Sequence, residues 1–161
     1  MLKFKETKVT FSEVPDEVTL CINLTNCPFR CKGCHSPHLQ EDVGIPLYGK
    51  VLVELMKKHA GITCVCFMGG DADPEYVKNM ALVAKSYNPA IRTAWYSGND
   101  DLPEDHCGAF DYVKTGKYIK KYGPLDKETT NQRMYKRICT DKRENLYEWK
   151  DITEKFWNKK L

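Results

Sequence analysis

The chain predicts an α/β domain organised around a parallel sheet, on three observations. Short apolar runs rich in β-branched or aromatic residues recur at 18–24, 62–68, 91–96 and 110–113. Stretches with helical spacing separate the first three of them. Each run then empties into a loop marked by glycine or cysteine. Strands that alternate with helices pair through crossovers, which makes the sheet parallel and lays the helices against it. The 161 residues fit one domain, with a core over about 16–120 and a less regular extension over about 121–161 wrapping one side.

The first run, VTLCINL at 18–24, leads into a loop at 25–37 that holds three cysteines, a glycine and two prolines. Leu47, Val51, Leu52, Leu55 and Met56 share one face of an amphipathic helix over 47–60. The nearly continuous apolar run 62–68 has the pattern of a buried parallel strand, and Gly69-Gly70-Asp71 breaks it. A helix over 74–87 follows, with Asp73 as its cap, Pro74 in its first turn and Val77, Met80, Val83 and Ala84 on one face. The strand at 91–96 ends at Ser97-Gly98, and the strand at 110–113 is followed by Thr115-Gly116-Lys117. In a parallel sheet ligands bind at the carboxyl ends of the strands. The cysteine loop and these three turns are therefore expected on one rim.

Composition narrows the partners. Hydrophobic residues at 42% and charged residues at 29% are ordinary for a globular protein. A net charge of +3 implies neither a nucleic-acid nor a membrane partner. No run approaches the roughly 18 apolar residues of a membrane span, and residues 1–6 lack the apolar run of a secretory leader. The expected location is the cytoplasm, where thiols stay reduced. Lys117, Lys120, Lys121, Lys136, Lys142, Lys155, Lys159 and Lys160 crowd the C-terminal third, either as a solvated face or as a dock for an acidic partner.

Against that background the eight cysteines are informative. Cys21, Cys64 and Cys66 sit in apolar runs as small core residues. Cys107 and Cys139 have no motif around them. Cys27, Cys31 and Cys34 fall within eight residues in a C-x3-C-x2-C spacing and read as metal ligands. Iron–sulfur cubes usually take four thiolates, so three from one loop leave one iron open for chemistry. Gly33 permits close backbone approach. A structural zinc site is the competing assignment, with His35 or His38 as fourth ligand. Zinc ribbons pair two C-x2-C halves, and no second half exists. Otherwise His35 and His38 are packing or hydrogen-bonding residues.

C-x3-C-x2-C after a first strand and Gly-Gly-Asp after the next resemble the radical SAM superfamily. The resemblance implies a [4Fe–4S] cluster on Cys27, Cys31 and Cys34. It also implies S-adenosyl-L-methionine bound at the fourth iron and cleaved by one electron to a 5′-deoxyadenosyl radical. Cosubstrate contacts carry over to Gly33, Cys34 and His35 on the adenosyl side, to Gly69, Gly70 and Asp71 at the methionine part, and to Ser97. Lys117 is either a contact to the cosubstrate carboxylate or a surface lysine.

Within that superfamily the chain is similar to the small activases that place a radical on a glycine of a large partner. The branch is that of anaerobic ribonucleoside-triphosphate reductase. Trp95-Tyr96-Ser97-Gly98, the segment from Tyr112 to Tyr118, Thr130-Asn131-Gln132-Arg133, Asp151-Ile152-Thr153 and Phe156-Trp157 carry this closer similarity. It implies an incomplete (β/α) barrel, since a full one takes about 250 residues. It also implies the glycyl-radical subunit of that reductase as partner, with a flavodoxin- or ferredoxin-type electron donor. Thr115 departs from the aspartate common in relatives, and Gly33 from the aromatic residue common in the wider superfamily. A radical enzyme acting on a small molecule, such as a deazapurine precursor, is the other expectation within the superfamily. A non-enzymatic Cys3His zinc module is the one outside it.

Overall fold

A computed structural model describes residues 1–157; Lys159 and Lys160 of the lysine-rich segment lie outside the described residues. The described residues form eight strands, β1 (Lys3–Thr10), β2 (Thr19–Leu24), β3 (Ile45–Pro46), β4 (Cys64–Met68), β5 (Arg92–Tyr96), β6 (Tyr112–Thr115), β7 (Arg133–Asp141) and β8 (Leu146–Asp151). Two helices, α1 (Gly49–Lys58) and α2 (Pro74–Tyr87), precede β4 and β5. One sheet runs β3-β1-β2-β4-β5-β6-β7-β8. Its centre, β2, β4, β5 and β6, is parallel, as the βαβ alternation requires. Its flanks, β1 with β3 and β7 with β8, are antiparallel. The architecture is thus α/β with a mixed sheet, and β3 and β8 each pair with a single neighbour.

The period of two in the strands separates two cores. Leu20, Ile22, Val65, Phe67, Trp95 and Val113 face α1 and α2 and pack on Leu52, Met56, Val77, Ala81 and Ala84. On the other face Cys21, Cys64, Cys66, Ala94, Tyr112 and Met134 form a second cluster with Val14 and Ile152. The three strand cysteines are fully buried, as expected of small core residues. Burial pushes the thiols of Cys64 and Cys66 well above their ordinary range, so they stay protonated. α2 begins as its sequence dictates: the Asp73 carboxylate accepts from Tyr76 N at 3.1 Å, and Pro74 opens the first turn.

Two expectations change, and one strand was not foreseen. The extension after residue 120 is not irregular throughout, because β7 and β8 form an antiparallel hairpin that extends the sheet. Both strands are mostly charged or polar, since the hairpin is largely solvated, and that composition hides their alternation. β1 escapes detection for the same reason, although Leu2 and Phe4 are buried. The strand expected at 110–113 begins two residues later and includes Lys114 and Thr115. The Asp105 carboxylate accepts from Ala109 N at 2.8 Å and Phe110 N at 2.9 Å, so the chain turns there before joining the ladder. No described helix is long and apolar enough to cross a membrane.

Candidate functional site

The loop after β2 and the ends of β4, β5 and β6 surround a cavity of about 230 Å³. Cys27, Cys31, Cys34, Asp71, Ser97 and Lys117 all line it, together with Lys114. The common rim expected from the strand order is therefore present. A larger cavity of about 850 Å³ lies among Phe11, Asp16, Glu154 and Trp157 and contains none of these groups.

The cysteine loop owes its shape to three residues in the left-handed region, Asn26 at φ 62°, Arg30 at φ 46° and Gly33 at φ 78°. Its stem is fixed by Asn26 N donating to Glu41 O at 3.0 Å and Cys27 N to Leu39 O at 3.2 Å. Cys34 N donates to Cys31 O at 3.1 Å, which curls the second half of the loop. Ser36 N reaches Cys34 Sγ at 3.4 Å, a contact of the kind that tunes a metal-bound thiolate. All three thiols are free and partly exposed. Among the described residues, no three His, Cys, Asp or Glu side chains gather around a point that could hold a single metal ion.

The turn after β4 supplies the second component. Ser97 Oγ donates to Asp71 Oδ1 at 2.5 Å and Gly98 N donates to Asp71 Oδ2 at 3.0 Å. The two residues singled out after different strands are thus one hydrogen-bonded unit. Gly69, at φ 93°, is bracketed by its own N–H to Tyr96 O at 2.9 Å and by Trp95 Nε1 to Gly69 O at 2.8 Å. Gly70 lies outside the cavity lining, at φ 93°; a Cβ there would fall 2.6 Å from Val77 Cγ2 and 2.8 Å from Leu24 Cδ1. Gly70→Ala is expected to cost about 3 kcal/mol, from overpacking plus left-handed strain. Gly69→Ala meets nothing closer than 3.5 Å and should cost about 1 kcal/mol. Urea midpoints of the two variants check the difference; equal midpoints would refute it.

Gly33 and His35 sit beside the cavity rather than in its lining. A Cβ at Gly33 would meet Tyr118 at 3.5 Å, and the His35 ring stands 5.1 Å from the Tyr118 ring. Lys117 is exposed, with Nζ 5.8 Å from the centre of the Phe29 ring. Phe29 in turn occupies the space over Gly98, where a Cβ would come within 2.5 Å of Phe29 Cδ2. Asn131 Nδ2 donates to Lys117 O at 3.1 Å and Gln132 Nε2 to Gly116 O at 3.1 Å, which hold the turn after β6 against the start of β7.

Lys114 is the group the sequence analysis missed. It is 9% exposed, and its Nζ donates to Ser97 O at 3.2 Å and Gly116 O at 2.8 Å. Burial lowers its pKa to about 8, against the opposing pull of Asp71, Cys31 and Cys27. The available signal was a lysine at an inward position of a short apolar strand. Compared with protein-family models, curated proteins and solved structures, the chain matches none.

Proposed function

We propose that the chain is a radical SAM activating enzyme whose cluster sits on Cys27, Cys31 and Cys34. The observation that carries this is that one 230 Å³ cavity brings together three thiols of one loop, the Asp71–Ser97 pair and the buried Lys114. The donor set fits a [4Fe–4S] cube better than zinc. Zinc draws all its ligands to within about 2.3 Å of one point, whereas a cube takes each thiolate on a separate iron. When bound, the reduced cluster with S-adenosyl-L-methionine supplies a carbon radical able to take a hydrogen atom.

The protein's own groups bind and orient. Asp71 has lone pairs beyond those used by Ser97 and Gly98, and these suit the ammonium of the methionine part. Lys114, and Lys117 nearer solvent, suit its carboxylate. Ser97 holds Asp71 in place, and Phe29 covers the turn that carries Gly98. On this reading the four parallel strands are the remnant of a (β/α) barrel whose flanks stay open, and an open flank admits a glycine presented on a protein loop. The partner is the glycyl-radical subunit of an anaerobic ribonucleoside-triphosphate reductase, and a flavodoxin- or ferredoxin-type protein is the electron donor.

Anaerobic reconstitution with iron and sulfide, followed by reduction with S-adenosyl-L-methionine, tests the reading. About four irons per chain and 5′-deoxyadenosine are the expected result, with a glycyl-radical resonance on mixing with the reductase. A colourless protein binding zinc alone would overturn it. Cleavage without a glycyl radical would keep the cluster and move the substrate to a small molecule.

A further inference from the structure

We propose that Cys107 and Cys139 form a dithiol that exchanges with a low-molecular-weight disulfide and closes to an intrachain disulfide. The two thiols are free and exposed, and both line one cavity of about 530 Å³. That cavity lies at the end of the sheet away from the cysteine loop, because Arg92 opens β5 and Asp111 immediately precedes β6.

The chain brings the two cysteines to one place through their neighbours. Cys107 belongs to the crossover between β5 and β6, and Cys139 to β7, opposite Tyr147. The crossover is fastened to β7 on both sides of Cys107. Arg137 N donates to Asp111 O at 2.8 Å, and the Arg137 guanidinium stands 3.8 Å from the Asp105 carboxylate. Gly108, at φ 64°, lies so near that guanidinium that a Cβ would fall 2.5 Å from Arg137 Nη1. Residues two apart on a strand share a face, so Cys139 stands on the face by which Arg137 grips the stretch 105–108. The ladder slips between Cys139 and Asp141, which frees the strand locally. Disulfide closure needs Cα atoms about 4.4–6.8 Å apart. The irregular crossover supplies that adjustment at Cys107, while β7 holds Cys139.

The lining cations are each ion-paired, Lys85 to Asp111 at 2.6 Å, Arg92 to Glu17 at 3.1 Å and Arg137 to Asp105 at 3.8 Å, and His106 stands 3.2 Å from Glu104. These pairs fix the walls of the cavity, and both thiols remain open to a reagent from solvent. One cysteine thiolate attacks the reagent's S–S bond, forming a mixed disulfide and expelling one thiolate. The second cysteine thiolate then attacks the protein-bound sulfur and expels the other. The two protein thiols lose two protons and two electrons, and the reagent is reduced to two thiols.

The test uses the full chain and oxidised glutathione as probe, with alkylation, trypsin and mass spectrometry. The peptides 93–114 and 138–142 each contain one cysteine. They are expected as a linked pair lighter by two hydrogens than their sum. Cys107→Ser should leave Cys139 as a stable mixed disulfide. Separate adducts on both cysteines without the linked pair would overturn the proposal. The cluster-binding cysteines lie at the other end of the sheet, so the outcome does not depend on the proposed function.

Discussion

Cys31→Ser is expected to fold like the parent but to retain no iron or sulfide after anaerobic reconstitution, with complete loss of S-adenosyl-L-methionine cleavage. Three ligands are already one fewer than a cube usually receives from protein, so removing another leaves too few to hold it. Cys31 is partly exposed and in a loop, and its exchange for serine disturbs no core packing. The same change at Cys66 separates the two kinds of cysteine. That thiol is fully buried on the sheet face away from the helices, where burial keeps it protonated. Cys66→Ser should therefore preserve cluster content and instead lower stability by about 1–3 kcal/mol, the cost of burying a poorly paired hydroxyl. Iron and sulfide analysis alongside denaturant midpoints checks both halves. Equal iron in Cys31→Ser and the parent would remove the loop from any metal role.

Lys114→Met has the second largest expected effect, and it is two-sided. Removing one partner of a desolvated charge pair costs about 3 kcal/mol, so affinity for S-adenosyl-L-methionine should fall roughly a hundredfold. Calorimetric titration of the reconstituted protein measures it; unchanged affinity would assign Lys114 a purely structural role. The other side is pH. The folded pKa of about 8 lies below the unfolded value. Below pH 8 the amine is protonated in both states, and its burial opposes folding in full. From there to about pH 10.5 the unfolded chain holds the proton that the folded chain has lost, so this contribution to stability rises with pH, by roughly 3 kcal/mol in all. Tyr96, Tyr112, Cys64 and Cys66, all pushed upward by desolvation, act in the opposite sense at higher pH. The difference between parent and Lys114→Met, followed from about pH 7.5 to 9.5, isolates the lysine. A difference that stays flat over that window would show that Lys114 keeps an ordinary pKa.

The parallel centre of the sheet was legible because its strands are apolar on both faces. VTLCINL and ITCVCFM read as buried strands whatever surrounds them. The flanking strands were not, because KFKETKVT and LYEWKD owe their pairing to neighbours and leave much of their length in water. Within the candidate site, the cysteine spacing and the glycine turn are local patterns and could be read. The union of Asp71 with Ser97 joins residues 26 positions apart, and no local pattern encodes it. Lys114 stayed hidden because its burial follows from where β7 lies, and β7 was itself unseen.

Phe29, seated over Gly98, ties the cysteine loop to the turn that Asp71 holds. On the proposed function this contact is expected to couple the two halves of the cavity: immobilising residues 27–34 would narrow the conformations open to 97–98, leaving a second occupant less disorder to suppress. Such linkage is reciprocal. On the proposed function, a small molecule seated against Asp71 and Ser97 is expected to strengthen the hold of the three thiols on their cluster by the same factor that the cluster strengthens its own.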